Sequence, residues 1–243
     1  MNVEHIFEKH NRVSLFFSAG KDSLACLSIC KKYWDQLDVV WVNTGKNLPE
    51  VLECVDKVRA MVPHFIEVTS CQDSFIKAAG HPVDVVATHC DVDGRMFSSR
   101  PHMRKQVSKY RCCAHNIWRP LQAYMEIMAS TAIIKGQRAD DHETAPWVGH
   151  CVVGGKEVEV FYPIKHWTAG DVRRHLELEG FDEPRLQLEH SSLDCWDCTA
   201  YWEVLQERAT YMGKHHPEKW AKVATWLKEI KSDIVSDVAR LPD

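Results

Sequence analysis

No apolar run in the sequence is long enough to span a bilayer, and the opening MNVEHIFEKHNR carries no apolar stretch of the kind a secretory leader needs. A cytoplasmic chain with no membrane partner is expected, in a compartment where disulfides are rare. Bulk positive charge is lacking too: Lys and Arg number 30 against 34 Asp and Glu, for a net charge of −4. Nucleic acid could therefore be held only by a local patch. Internal repeats and low-complexity tracts are absent, and the composition speaks against disordered, collagen-like and coiled-coil readings. The Walker pattern GxxxxGK[ST] is missing as well. What remains is a chain of 243 residues, 45% hydrophobic and 26% charged, ordinary for a globular protein and long enough to bury a core. Its one excess is cysteine, of which there are ten.

Short apolar, β-branched runs alternate with amphipathic stretches. Strands are expected at Arg12–Phe17, Leu37–Asn43, His64–Val68, Thr131–Lys135 and Val158–Tyr162, with helices at Asp22–Trp34 and Pro49–Met61 between them. This rhythm predicts an α/β fold, a mostly parallel doubly wound sheet whose ligands bind outside the carboxyl ends of the strands. Gly154-Gly155 should turn a hairpin within Cys151–Tyr162. Thr168 should cap a helix running to Leu178, with Asp171 at the capping-box position. Pro217 should open a last helix with Trp220, Val223, Leu227, Ile230 and Ile234 on one packing face. The expected organisation is a main domain over 1–210 and a helical C-terminal segment over 211–243 packed on it.

Between the first strand and the first helix lies Ser18-Ala19-Gly20-Lys21-Asp22-Ser23. Gly20 can take backbone angles closed to other residues, and small neighbours let the backbone approach an anion. The helix that follows offers free N–H groups and the positive end of its dipole, and Lys21 adds a point charge. An ordinary strand-to-helix turn is the plainer alternative, but the position directly after the first strand favours a phosphate loop.

Two cysteine pairs stand out, the adjacent Cys112-Cys113 and the CxxC pair Cys195 and Cys198. In a reducing compartment such a pattern points to a metal or redox site before a disulfide framework. A four-Cys zinc site and unligated thiols are among the readings the residues leave open. Cys26, Cys30, Cys54, Cys71, Cys90 and Cys151 lie in apolar or mixed runs and are expected to be small core residues. Beside the adjacent pair, Arg95, Arg100, Arg104, Lys105, Lys109, Arg111 and Arg119 share a stretch with no acid up to Pro120. It reads as an anion-facing surface, with a merely solvated face as the alternative.

SAGKDS resembles the SGGKDS loop of the PP-loop ATP pyrophosphatases, and within them the branch of adenylylsulfate and phosphoadenylylsulfate (APS and PAPS) reductases. Val42–Glu50 (VNTGKNLPE) is similar to that family's DTGxxFPE segment, Gly136–Asp141 (GQRADD) to its GxRxxE segment, and Tyr162–Val172 to its PLxxWTxxDV segment. The resemblance runs from about residue 12 to about residue 210. It implies that Ser18, Ala19, Gly20, Lys21, Asp22, Ser23, Thr44, Gly45, Gly136 and Arg138 bind an adenine nucleotide, ATP with Mg²⁺ or else APS or PAPS. Lys21, Asp22 and Arg138 would serve catalysis, Arg138 by a bidentate grip on an anionic oxygen. It also implies that Cys112, Cys113, Cys195 and Cys198 ligate a 4Fe-4S cluster.

Two departures bear on the reaction. CCxxRKVxPL of the reductases reads CCAHNIWRPL here, with Asn116 and Ile117 in place of Arg-Lys. The ECGLH segment whose cysteine attacks sulfur in the reductases has no counterpart, and no cysteine follows Cys198. The expectation is therefore ATP-dependent sulfur transfer: ATP is split to AMP and pyrophosphate to activate an acceptor, nucleic acid held by Arg95–Arg119, with sulfur from a donor such as a cysteine desulfurase. The alternatives are a thioredoxin-dependent APS or PAPS reductase releasing sulfite, or a non-catalytic nucleotide- and cluster-binding subunit.

Overall fold

The computed structural model describes residues 3–91, 93–97, 104–128, 130–141, 148–183 and 195–239, with the side chains of 95 and 97 left aside. They divide into two compact units. One comprises Met1–Asn43, Leu48–Thr69 and Pro120–Leu188, the other Thr44–Asn47, Ser70–Arg119 and Glu189–Asp243.

The first unit is built on a six-stranded sheet. Its strands are β1 (Val13–Phe17), β2 (Leu37–Asn43), β3 (Phe65–Thr69), β6 (Ala132–Ile134), β7 (His150–Val153) and β8 (Lys156–Phe161). The spatial order is β3-β2-β1-β6-β8-β7. All pairings are parallel except β7 with β8, the hairpin expected around Gly154-Gly155. Both glycines there have positive φ, 56° and 77°, as a tight two-residue turn requires. The apolar runs of β1 and β2 are buried because helices cover a parallel sheet on both faces. These helices are α1 (Glu4–Lys9), α2 (Lys21–Ile29), α3 (Pro49–Met61), α6 (Arg119–Met128, all but its first residue in this unit) and α7 (Ala169–Glu179). Strand order reverses at β1, with β2 on one side and β6 on the other. The loop after β1 thus opens at the topological switch point, where such sheets bind ligands.

β2 and α3 have the expected bounds. The helix expected over Asp22–Trp34 does not run through: α2 stops at Ile29 and a 3₁₀ segment follows over Lys31–Gln36. The Trp34 indole donates to the Leu27 carbonyl at 3.0 Å and takes up an acceptor at the helix end. Thr168 caps α7 with a full capping box, its hydroxyl accepting from the Asp171 N–H at 3.2 Å and the Asp171 carboxylate accepting from the Thr168 N–H at 3.0 Å. The shorter Asp closes the box as Glu would.

The second unit has little regular sheet. β4 (His81–Val83) and β5 (Gln106–Ser108) form a two-stranded parallel sheet, which short length and Pro82 hide from a pattern search. Around it lie α4 (Gln72–Ala79), α5 (Lys109–Cys113) with a π-helical turn over Ala114–Trp118, α8 (Leu205–His215) and α9 (Pro217–Val238). On α9 the expected packing stripe is present: Val223 and Ile230 are buried. The division expected at residue 210 falls inside α8, and α8 and α9 belong to the same unit as residues 70–119. Among the described residues, no helix is long and apolar enough to cross a membrane.

Candidate functional site

In the loop unit the geometry around β1 and α2 is tight. Ser23 donates its hydroxyl to the Gly20 carbonyl at 2.9 Å, while its oxygen lies 3.3 Å from both the N–H and the hydroxyl of Ser18. Ser23 thus ties the loop to itself. The left-handed residue is not the one the glycine pattern suggests. Gly20 is extended (φ −91°, ψ 161°), and Ala19 stands at φ 58°. A Cβ in that region costs about 1–2 kcal/mol, a cost an SGGKDS sequence would avoid. Strain of this kind gathers where a backbone is shaped around a ligand.

Arg138 follows β6 and is buried. Its Nη2 donates to Asp141 Oδ1 at 2.6 Å, its Nη1 to Asp140 Oδ2 at 3.3 Å, and its own N–H to Asp141 Oδ2 at 2.9 Å. Nε lies 2.9 Å from Asp22 Oδ1 on the loop, and Asp22 Oδ2 accepts from Lys21 Nζ at 2.9 Å. The Nε–Oδ1 contact is an ion pair without an aligned hydrogen bond, and both atoms are buried. The arginine expected to grip an anion in bidentate fashion thus holds two carboxylates of its own segment with that fork. Asp141 stands at the acidic position of the GxRxxE segment that GQRADD resembles, and Asp140 adds a second carboxylate. Gly136 fixes β6 against the loop: a Cβ there would stand 2.8 Å from Asp22 C and 2.9 Å from Ser23 N. Backbone contact that close admits only glycine.

Thr44 and Gly45 belong to the second unit with the cysteines. Gly45 has φ 75°. Thr44 is buried, and its Oγ1 accepts from Cys195 Sγ at 3.4 Å. Trp196 N–H donates to Lys46 O at 2.9 Å, and Lys46 Nζ pairs with Asp73 at 2.7 Å and Asp197 at 3.6 Å while lying 5.4 Å from the Trp196 ring centre. Residues 44–46 are thereby laced to the CxxC segment through Lys46. Burial pulls the Lys46 ammonium down, but Asp73 and Asp197 more than offset it and its pKa is raised. Burial pushes the Asp197 carboxyl up to about 6 against the opposing charge of Lys46.

The thiols of Cys112, Cys113 and Cys198 feel one another. Burial and then the charges of Cys113 and Cys198 push Cys112 up to about 12; burial pushes Cys198 up to about 11, with Arg208 opposing. Four thiols are the donor type that an iron–sulfur or zinc centre uses. Among the described residues no three His, Cys, Asp or Glu side chains already stand as a metal-ligating group. Tyr201 frames the set: its hydroxyl lies 3.5 Å from Cys113 Sγ, its ring centre 4.4 Å from Lys109 Nζ, and its backbone sits at φ 61°. Lys109 pairs with Asp84 at 2.8 Å, and Asp84 also accepts from Trp202 N–H at 2.8 Å.

The expected basic stretch is not uniformly available. Arg104 pairs with Glu229 and Lys109 with Asp84, so two of its charges are spent internally. Arg100 and the Arg95 side chain lie outside the described residues. The core assignment of the remaining cysteines needs correction at one of them: Cys26, Cys30, Cys54 and Cys90 are buried and Cys151 is half-buried against the core around Val158, but Cys71 is exposed. Cys71 stands just before α4, and a hydrogen bond with the Ser74 hydroxyl holds its thiol below the usual range.

The chain is 24% identical over 163 residues to the adenosine 5'-phosphosulfate reductase of Deinococcus radiodurans, covering 67% of this chain and 56% of that protein. It is 22% identical over 184 residues to adenosine 5'-phosphosulfate reductase 2 of Bacillus subtilis, covering 75% of this chain and 70% of that one. The chain thus spans little more than half the length of the first of these relatives. The crystal structure of PAPS reductase from Candida auris, a phosphate complex, superposes with a TM-score of 0.56 at 14% identity over 80% of this chain and 86% of that one, which is a likeness of fold. The model of the phosphoadenosine phosphosulfate reductase domain matches residues 12–201, and the chain belongs to that family.

Proposed function

We propose that this chain binds ATP with Mg²⁺ at the Ser18–Ser23 loop and splits it to AMP and pyrophosphate, activating an acceptor for sulfur transfer. One observation carries the reading. Around Arg138, three carboxylates (Asp22, Asp140, Asp141) face two cations (Lys21, Arg138), and Asp22 Oδ1 is buried without an aligned hydrogen bond. A divalent cation would offset that excess of negative charge. Magnesium is held by one or two carboxylates together with substrate phosphates, and Asp22 would supply one such oxygen in exchange for its ion pair with Arg138.

In this reading the N–H groups at the start of α2 and the Lys21 ammonium hold the phosphate chain and stabilise the charge that develops on departing pyrophosphate. An acceptor oxygen attacks the α-phosphorus, the bond to the bridging oxygen breaks, and pyrophosphate leaves with its electron pair. A sulfur nucleophile then displaces AMP from the adenylated acceptor. Cys112, Cys113, Cys195 and Cys198 would hold a 4Fe-4S cluster, which when bound supplies a binding point for sulfide from the donor. The exposed part of the Arg95–Arg119 stretch would carry the acceptor, a nucleic acid.

A second reading is kept because the relatives with measurable identity are named reductases: the chain would bind APS or PAPS and release sulfite with thioredoxin as reductant. One experiment separates the two. Anaerobically purified full chain is given Mg-ATP with oligonucleotide and sulfide, or APS or PAPS with reduced thioredoxin, and products are resolved by chromatography. AMP with pyrophosphate in the first arm supports the proposal. Sulfite in the second arm with no AMP in the first overturns it in favour of the reductase.

A further inference from the structure

The helical run from Lys109 contains the same dipeptide pattern twice, Tyr110-Arg111 and Trp118-Arg119. In a regular α-helix, positions eight apart drift by more than a fifth of a turn. Here the five residues Ala114–Trp118 form a π-helical turn, which takes up about one residue more than an α-turn, so positions eight apart come back into line after two turns. Burial follows that register. Cys112 and Asn116 are both buried, and Asn116 Nδ2 donates to Cys112 O at 3.0 Å. On the other side Tyr110 is 55% exposed and Trp118 51%, and Arg111 and Arg119 are exposed beside them. Scattered apolar side chains on a surface are ordinary, but two large rings sharing one helix face form a patch of the kind that marks an interaction site.

Charge settles what kind of partner this face fits. Arg104 and Lys109 are taken by Glu229 and Asp84, but Arg111 and Arg119 make no ion pair among the described residues. No acid lies between Arg95 and Pro120 to neutralise them. The arrangement is two aromatic platforms on one helix face, each with a guanidinium beside it, about 12 Å apart at 1.5 Å per residue. Aromatic rings stack on unpaired bases of any sequence, and arginines beside them hold the connecting phosphates. Bases locked in a duplex offer no free face to such platforms.

We propose that Tyr110-Arg111 and Trp118-Arg119 form a docking face for single-stranded nucleic acid, each ring stacking on one base and each arginine gripping a phosphate. This rests on the proposed nucleic-acid acceptor and narrows it to an unpaired strand. DNA and RNA share the recognised chemistry, so both are tested.

The test is fluorescence anisotropy of the full chain with a short labelled mixed-sequence strand, as DNA and as RNA, and with the corresponding duplex, in the absence of nucleotide. At least one single strand is expected to bind more tightly than its duplex. Trp118→Ala and Tyr110→Ala should each weaken that binding roughly tenfold, since stacking on one base is lost, while Trp118→Phe and Tyr110→Phe should retain most of it. Arg111→Gln and Arg119→Gln should each lower the salt slope by about one. Melting curves and circular dichroism confirm that the variants are folded. Duplex bound as tightly as both single strands would overturn the proposal, as would alanine variants with undiminished affinity, or labelled polyglutamate binding with the same dependence on Trp118 and Tyr110. Failure here is separable from failure of the ATP reading. Strand binding without AMP production sinks only the proposed activity, and AMP production with alanine variants that bind strands normally sinks only the docking face.

Discussion

The two units reach order by different means. In the loop unit, whole strands of apolar residues pair in parallel and bury themselves, and the candidate site residues sit where strands end. In the cysteine unit the elements are short, and single polar contacts fix them. Thr199 donates to Pro82 O at 2.7 Å, Arg208 to Ala200 O at 3.0 Å, the Ala87 N–H to Gln106 Oε1 at 3.0 Å, and Asp84 joins Lys109 to the Trp202 backbone. A sheet spreads its stability over many residues. A frame of short elements concentrates it in a few, and such positions are where single substitutions are costly.

Two glycines test that contrast most sharply. Gly80 has φ 111°, and a Cβ on it would stand 2.4 Å from Lys105 C, on the β5 side of the small sheet. Gly80→Ala should destabilise the cysteine unit by about 3 kcal/mol or more, seen as a fall in melting temperature and faster alkylation of the buried thiols. Gly136→Ala acts on the loop through Asp22 and Ser23, from the segment that follows β6. Its expected effect is a nucleotide affinity lowered a hundredfold or more, with a melting temperature changed far less, read by calorimetric titration. Ordinary affinity in Gly136→Ala, or an unmoved melting curve in Gly80→Ala, would break the comparison.

Next in size is the Lys109–Asp84 pair. Lys109→Met leaves the Asp84 carboxylate with the Trp202 N–H and without its cation, in a setting where loss of one partner costs about 3 kcal/mol. Lys109→Met with Asp84→Asn should recover part of that loss in a double-mutant cycle. Additive losses would mean that the pair is not what fixes this part of the frame.

Periodic elements were readable in advance, and this explains which half of the molecule was legible. β2 and α3 kept their expected bounds because a run of Val and Trp between polar ends, and a Pro-initiated amphipathic segment, each satisfy themselves locally. The capping box at Thr168 and the hairpin at Gly154-Gly155 are local as well. The loop was legible as a motif, yet its left-handed residue was not: sequence favours Gly20, and the fold places Ala19 there. The cysteine unit resisted because its determinants are distant in sequence. Asp84 and Glu229 withdraw Lys109 and Arg104 from a stretch that looks uniformly basic on its own. Lys46 meets Asp197 across some hundred and fifty positions, so nothing in VNTGKNLPE marks that lysine out.

Acid should expose the same asymmetry. His81, in β4, is buried beside the Trp226 ring, and its Nε2 accepts from Arg104 Nη1 at 3.0 Å, with Glu229 on the far side of that arginine. Burial and then the Arg104 charge hold its pKa down at about 4, against the usual 6.5. The unfolded chain therefore binds a proton at this site between pH 6.5 and 4 that the folded chain refuses, and stability is lost as pH falls through that window. The loss should approach about 3 kcal/mol at the acid end, and His81→Gln should flatten the melting temperature against pH between these limits. An equal slope in the variant would place the acid sensitivity elsewhere.

The smallest effect is chemical and leaves stability untouched. In the loop unit Cys26 and Cys30 are buried and their thiols are pushed up, Cys30 to about 12. In the cysteine unit Cys71 is exposed, and its hydrogen bond with Ser74 lowers its pKa. Thiolate fraction and access together set the rate of alkylation. Iodoacetamide at neutral pH, followed by peptide mapping, should therefore label Cys71 first and leave Cys26 and Cys30 unmodified until the chain unfolds. Ser74→Ala should slow labelling of Cys71 a few-fold by returning its pKa toward the ordinary range, without shifting the melting curve. An unchanged rate would mean that access alone sets the reactivity of Cys71, and that the Ser74 hydroxyl contributes nothing to its thiolate.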